Sequence, residues 1–238
     1  MARLPRYALP GQPQHVIQRG NNRSPVFFGE DDYLFFLECL RDGCARFDCA
    51  VHAYVLMTNH IHLLVTPKAV DGISGLMQSV GRRYVQYINF TRRRTGTLWE
   101  GRYKAVPMDT EAYLMTCYRY IELNPVRARM VSHPRDYRWS SYHRNADGKD
   151  DALVKSHALY RALDVDDTSR QAAYRKFFRA MISDEDLGAI REATNRGWVL
   201  GGDRFKRRIE TVAGRPATPA PRGGKRKGAG RPRSGDVD

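Results

Sequence analysis

Cysteine is scarce in this 238-residue sequence, and Cys39, Cys44, Cys49 and Cys117 form no C-x-x-C pair. That spacing gives no support to a zinc ribbon or a disulfide framework, so the four are expected as buried thiols. Long apolar runs are also missing. No stretch reaches the roughly 18 residues a spanning helix needs, and the opening MARLPRYALPG has no signal-type apolar segment. A cytoplasmic protein without a membrane partner is expected. Acidic residues are outnumbered 26 to 40 by Lys and Arg, a net charge of +14, which turns the search towards a polyanion and first of all nucleic acid. No internal repeat suggests a solenoid. The 42% of hydrophobic residues suffices for one substantial core, with room for a small second one.

What is present falls into three stretches, expected at 1–148, 149–212 and 213–238. In the first, His15 to Arg19 reads as a strand closed by the turn Gly20-Asn21-Asn22. Tyr33, Phe36, Leu37 and Leu40 recur at helical spacing and predict a helix from Asp31 to about Phe47. Ala50–Met57 and Ile61–Thr66 predict a hairpin of buried strands, and Gly72 to about Thr91 a second amphipathic helix. Trp99–Met108 reads as another strand. A third helix comes next, capped by Asp109 or Thr110 and ending near Leu123, because Pro125 disfavours helical geometry at Asn124. The order strand, helix, strand, strand, helix, strand predicts an α+β fold of ferredoxin-like or RRM-like type, an antiparallel sheet with helices on one face.

The second stretch is expected to be a helical extension with Tyr174, Phe177, Phe178 and Met181 on one face. The third is a basic tail. From Gly214 to Gly235 it carries seven cations and no acid, and its Pro, Gly and Ala content leaves little to bury, so disorder is expected until it meets phosphate. Its two Gly-Arg-Pro tripeptides, at 214–216 and 230–232, suit either minor-groove hooks or a solubilising tail.

Two clusters could carry chemistry. His60-Ile61-His62 opens an apolar strand, where alternation puts both imidazoles on one face and lets them share a cation. Tyr120 and Asn124 sit four apart on the third helix, about 6 Å along its axis, so a phenol and an amide can face one pocket. Either cluster alone has an ordinary explanation as packing. Together they supply an oxygen nucleophile and a seat for a Lewis acid, the two needs of phosphodiester transesterification. Two neutral imidazoles and an amide suit Mg²⁺ or Mn²⁺ better than zinc, since bound phosphate favours a harder ion. Tyr118 competes with Tyr120 for the nucleophile's role but points about 200° away on the helix, which makes it packing.

These motifs, with Leu98-Trp99-Glu100-Gly101-Arg102-Tyr103, the run Tyr120 to Ala128 and Trp139-Ser140-Ser141-Tyr142, occur in an order that resembles the HUH single-tyrosine transposase superfamily. The likeness is closer to its REP-associated tyrosine transposases and covers roughly residues 5–145. The resemblance implies a metal-dependent transposase that nicks and rejoins single-stranded DNA at hairpin-forming repeats through a 5′-phosphotyrosine. It implies His60, His62 and Asn124 as ligands to Mg²⁺ or Mn²⁺, Tyr120 as the nucleophile, and no small-molecule cofactor. Arg19, Arg92, Arg93, Arg94, Arg102, Lys104 and Arg127 are expected to hold phosphates, in a monomer or homodimer. Trp99 and Tyr103 could stack on bases or pack in the core. The rival readings are a non-catalytic RRM-like regulator and a zinc hydrolase that would need Cys49, His52 or Glu122 as a further ligand.

Overall fold

The computed structural model describes residues 5–219. β1 (Gln14–Arg19), α1 (Glu30–Arg46), β2 (Cys49–Met57), β3 (His60–Pro67), α2 (Gly72–Thr91) and β4 (Lys104–Pro107) build the expected ferredoxin-like unit. The strands lie in the order β2-β3-β1-β4, every neighbouring pair antiparallel. Seven helices come after them: α3 (Thr110–Glu122), α4 (Asn124–Arg127), α5 (Tyr142–Asp147), α6 (Ala158–Arg161), α7 (Asp167–Phe177), α8 (Asp184–Arg196) and α9 (Asp203–Ala213), counted among the described residues.

Period-two alternation sends the strand side chains to two different cores. Val16, Ile61, Leu63 and Val65 meet Phe36, Leu40, Leu76, Val80 and Tyr84 of α1 and α2. The crossing of those helices is close at Gly43, where a Cβ would lie 2.7 Å from Leu76 Cδ1. The opposite face presents Leu64, Val55 and Met57 to Leu114, Tyr118 and Ile121 of α3, and that core continues into Tyr160, Tyr174 and Ile190 of the extension. The extension thus shares a core with the sheet. Val51 faces α1 and α2 while Ala53 faces α3, because a bulge at His52 shifts the register of β2 against β3.

Three expectations need adjusting. The fourth strand is short: Gly101 has φ +67, a turn conformation, so Trp99 touches the sheet only through one bridge to Gly20 and the ladder begins at Lys104. Helical structure does not stop at Asn124. After a break at Leu123 it resumes at once in α4, where Pro125 sits in the first turn and gives up an N–H that has no intrahelical acceptor anyway. The start of the supposed tail is packed. Arg215 lies 3.8 Å over the Tyr7 ring, Pro216 O accepts from Tyr7 Oη at 2.9 Å, and Ala217 is buried with Tyr7, Leu9, Val199, Phe205 and Ile209. Apolar burial against the N-terminal segment overrides the local composition there. The second Gly-Arg-Pro, at 230–232, lies outside the described residues. All four cysteines are free thiols. No described helix is long and apolar enough to cross a membrane.

Candidate active site

His60 and His62 emerge from the start of β3 on the face that α3 covers, with ring centroids 5.0 Å apart at 81°. His60 Nδ1 and Asn59 Oδ1 are 2.7 Å apart, so Nδ1–H donates to the amide and the Nε2 lone pair is left for another partner. His62 Nδ1 is likewise engaged, 2.8 Å from Nε2 of His15 on β1. Burial holds His60 down at about 4 and His62 well below the usual imidazole range, with the cationic Arg19 and Arg127 pushing in the same direction. Both rings are therefore neutral near pH 7, the state a metal requires.

Tyr120 comes to the same face from α3. Its ring centroid is 5.8 Å from that of His62 and 5.7 Å from that of His15, edge-on to both. Arg127 of α4 covers the phenol ring at 4.3 Å and donates from Nη2 to Tyr120 O at 2.7 Å, while its Nη1 is buried with no hydrogen-bond partner among the described residues. A buried guanidinium nitrogen without a protein acceptor, beside a phenol and two imidazoles, is a donor that an anion could take up. Asn124 turns its amide nitrogen back to Tyr120 O (2.9 Å) and Ile121 O (3.3 Å), which directs Oδ1 away from the helix. Among the described residues no cluster of three or more His, Cys, Asp or Glu side chains is placed to hold a metal. A cation here would rest on the two Nε2 lone pairs and the Asn124 oxygen, a donor set suited to a hard divalent ion with open positions.

Tyr118 points away from this cleft, buried between the rings of Tyr160 and Tyr174. Glu122 faces the same interior, where it accepts from Ser141 Oγ (2.6 Å), Asn145 Nδ2 (2.8 Å) and Tyr174 Oη (2.6 Å). His52 is taken by Lys155 O and Thr66 Oγ1. Neither side chain is available to a zinc site.

The expected phosphate contacts separate into two groups. Arg19, which pairs with His60 across the strands, lines a groove of about 620 Å³ together with Arg6, Arg23, Arg102, Lys104 and Arg196. Lys104 crosses the groove to donate to Asn195 O at 2.8 Å. Arg92 is instead structural, its Nη2 3.1 Å from Asp32 Oδ2, a carboxylate buried at the start of α1. Arg93 and Arg94 stand in the loop after α2, which is tied to this end of the sheet through Asn21 N and Leu98 O (2.9 Å). Trp99 is core, packed with Phe36 and Tyr84, and Tyr103 is covered by Arg6 at 3.7 Å, so neither ring is bare for a base. Sequence reasoning did not single out His15 or Thr194, both buried against this site.

Residues 11–124, which span all four strands and α3 with its tyrosine, match the family model described as transposase, IS200-like. This segment, a little under half of the chain, is similar to IS200-like transposases. The chain that carries it resembles the solved structure of a REP-associated tyrosine transposase bound to a REP hairpin. That likeness covers 66% of this chain and 99% of the other, at 19% identity and a TM-score of 0.53. It supports the fold. A candidate transposase from Deinococcus radiodurans R1 is similar at 23% identity over 51% of this chain and 96% of its own, with a TM-score of 0.36. No protein of curated function matches the chain.

Proposed function

We propose that this chain cuts and rejoins single-stranded DNA at hairpin-forming repeats, with Tyr120 as nucleophile and Mg²⁺ or Mn²⁺ held by His60, His62 and Asn124. The observation that carries the reading is the convergence of the Tyr120 ring with the two imidazoles on one sheet face, beside a groove rich in arginine. The hairpin-bound relative supplies the substrate class.

In the forward step the Tyr120 oxygen attacks phosphorus as the P–O3′ bond breaks. The products are a 5′-phosphotyrosine and a strand ending in a 3′-hydroxyl, which has gained the phenolic proton in the net reaction. Arg127, stacked on the ring, can donate Nη1–H to a non-bridging oxygen. A bound divalent ion supplies Lewis acidity at the phosphate. Arg19 and the other groove cations hold the strand, and the ester stores the energy of the broken bond, so rejoining needs no nucleotide. An RRM-like regulator would offer bases a bare sheet, whereas here α3 and α8 cover that face.

The test is a labelled single-stranded hairpin from the region flanking the gene, incubated with protein and Mn²⁺. A covalent adduct that Tyr120→Phe abolishes and EDTA suppresses supports the reading. An undiminished adduct in the variant overturns it.

A further inference from the structure

His15 lies 47 residues from His62 in sequence, yet the two rings meet nitrogen to nitrogen at 2.8 Å. The ring planes differ by only 15° with centroids 5.0 Å apart, as expected for an in-plane hydrogen bond. The other nitrogen of His15, Nδ1, is 3.1 Å from Oγ1 of Thr194 on α8, 179 residues away. His15, His62 and Thr194 are 0%, 2% and 3% exposed, so water does not compete for these contacts. Three polar side chains from β1, β3 and the helical extension thus form one closed chain ending at the Nε2 lone pair of His62.

We propose that His15 and Thr194 are positioning residues that set the tautomer and tilt of His62. This rests on the reading of His62 as a metal ligand. Only one proton fits between His15 Nε2 and His62 Nδ1. When His62 Nδ1–H donates to His15, His15 Nδ1–H donates to the Thr194 hydroxyl oxygen, and His62 Nε2 is left with its lone pair facing His60 and Tyr120. When the proton sits on His15 Nε2 instead, His62 is protonated at Nε2 and cannot bind a cation. The Thr194 hydroxyl accepts in the first arrangement, and a cation at Nε2 selects that arrangement through the whole chain. Outer partners of metal-bound histidines commonly act in this way, and losing them typically weakens metal affinity about 10- to 100-fold. The extension therefore contributes to the cleft through Thr194, beyond its part in the core.

Mn²⁺ binding to the full chain, measured by calorimetry, tests this with four variants: His62→Ala, His15→Phe, His15→Gln and the near-isosteric Thr194→Val. The expected result is loss of binding in His62→Ala, weakening by about 10- to 100-fold in His15→Phe and about 10-fold in Thr194→Val, with partial rescue in His15→Gln. Ring-nitrogen NMR on the metal-free protein gives a second readout. His62 should change its tautomer balance in Thr194→Val while thermal unfolding shows an intact fold. Wild-type Mn²⁺ affinity and an unchanged His62 tautomer in both Thr194→Val and His15→Phe, with binding lost in His62→Ala, would overturn the positioning role alone. Unimpaired binding in His62→Ala would overturn the metal reading, and the positioning role with it.

Discussion

Tyr118 and Tyr120 are the same residue type two positions apart on α3, and the helix carries them into opposite surroundings. Tyr120 faces neutral imidazoles and a guanidinium, whereas Tyr118 faces two tyrosine rings in a core that burial keeps strongly against ionisation. Tyr118→Phe should leave adduct formation on a hairpin within about twofold of wild type. Tyr118→Ala should lower stability by about 3–5 kcal/mol through cavity formation, read by denaturant unfolding. A Tyr118→Phe variant without adduct would reverse the assignment. His60, His62, Tyr120 and Asn124 are legible in the sequence because each pair is local, two apart on a strand or four apart on a helix. His15 and Thr194 are not, because their contacts depend on strand register and on where a helix some 180 residues away comes to rest. Once β1 is paired with β3 so that Ile17 faces His62, alternation places His15 on the same face.

At the scale of elements, Glu122 joins α3 to α5 and α7 through three donors in a dry interior. Burial raises its carboxyl to about 7, although the three hydrogen bonds pull the other way. An acid raised in the folded state keeps its proton longer than in the unfolded chain. Its contribution to stability is therefore greatest below the unfolded value near 4.5 and declines as pH rises to about 7, by about 3 kcal/mol in all. Glu122→Gln should flatten that part of the stability–pH curve, measured by urea unfolding at several pH values. Glu122→Leu should cost roughly 3 kcal/mol or more by stranding three donors. The periodic elements are readable to within a residue or two, since α1, α2 and the β2-β3 hairpin carry strong patterns. Sequence overextends β4 because the apolar residues around Gly101 continue the pattern while the backbone turns. Pro125 reads as the opening of a new segment after a non-helical Asn124, whereas the new segment is itself a helix that begins at Asn124.

For the molecule as a whole, the excess of positive charge is partly focused. Arg6, Arg19, Arg23, Arg102, Lys104 and Arg196 converge on one groove that reaches His60 through Arg19. If single-stranded DNA lies there, its affinity should fall with salt, and the double variant Arg19→Ala/Arg102→Ala should reduce the log–log salt slope by about 0.7 per lost phosphate contact. Fluorescence anisotropy on a labelled oligonucleotide at several salt concentrations measures this. An unchanged slope would place the strand elsewhere. Net charge is enough to suggest a polyanionic partner, but only the fold shows which cations converge and that Arg92 is diverted to hold α1 against α2.

The clasp between the two ends of the described chain has a further consequence. Arg215 grips Tyr7 and also forms part of the groove wall, so the contact that closes the described chain also sets one side of the groove. Releasing the clasp would therefore take a guanidinium out of the groove and leave its mouth wider.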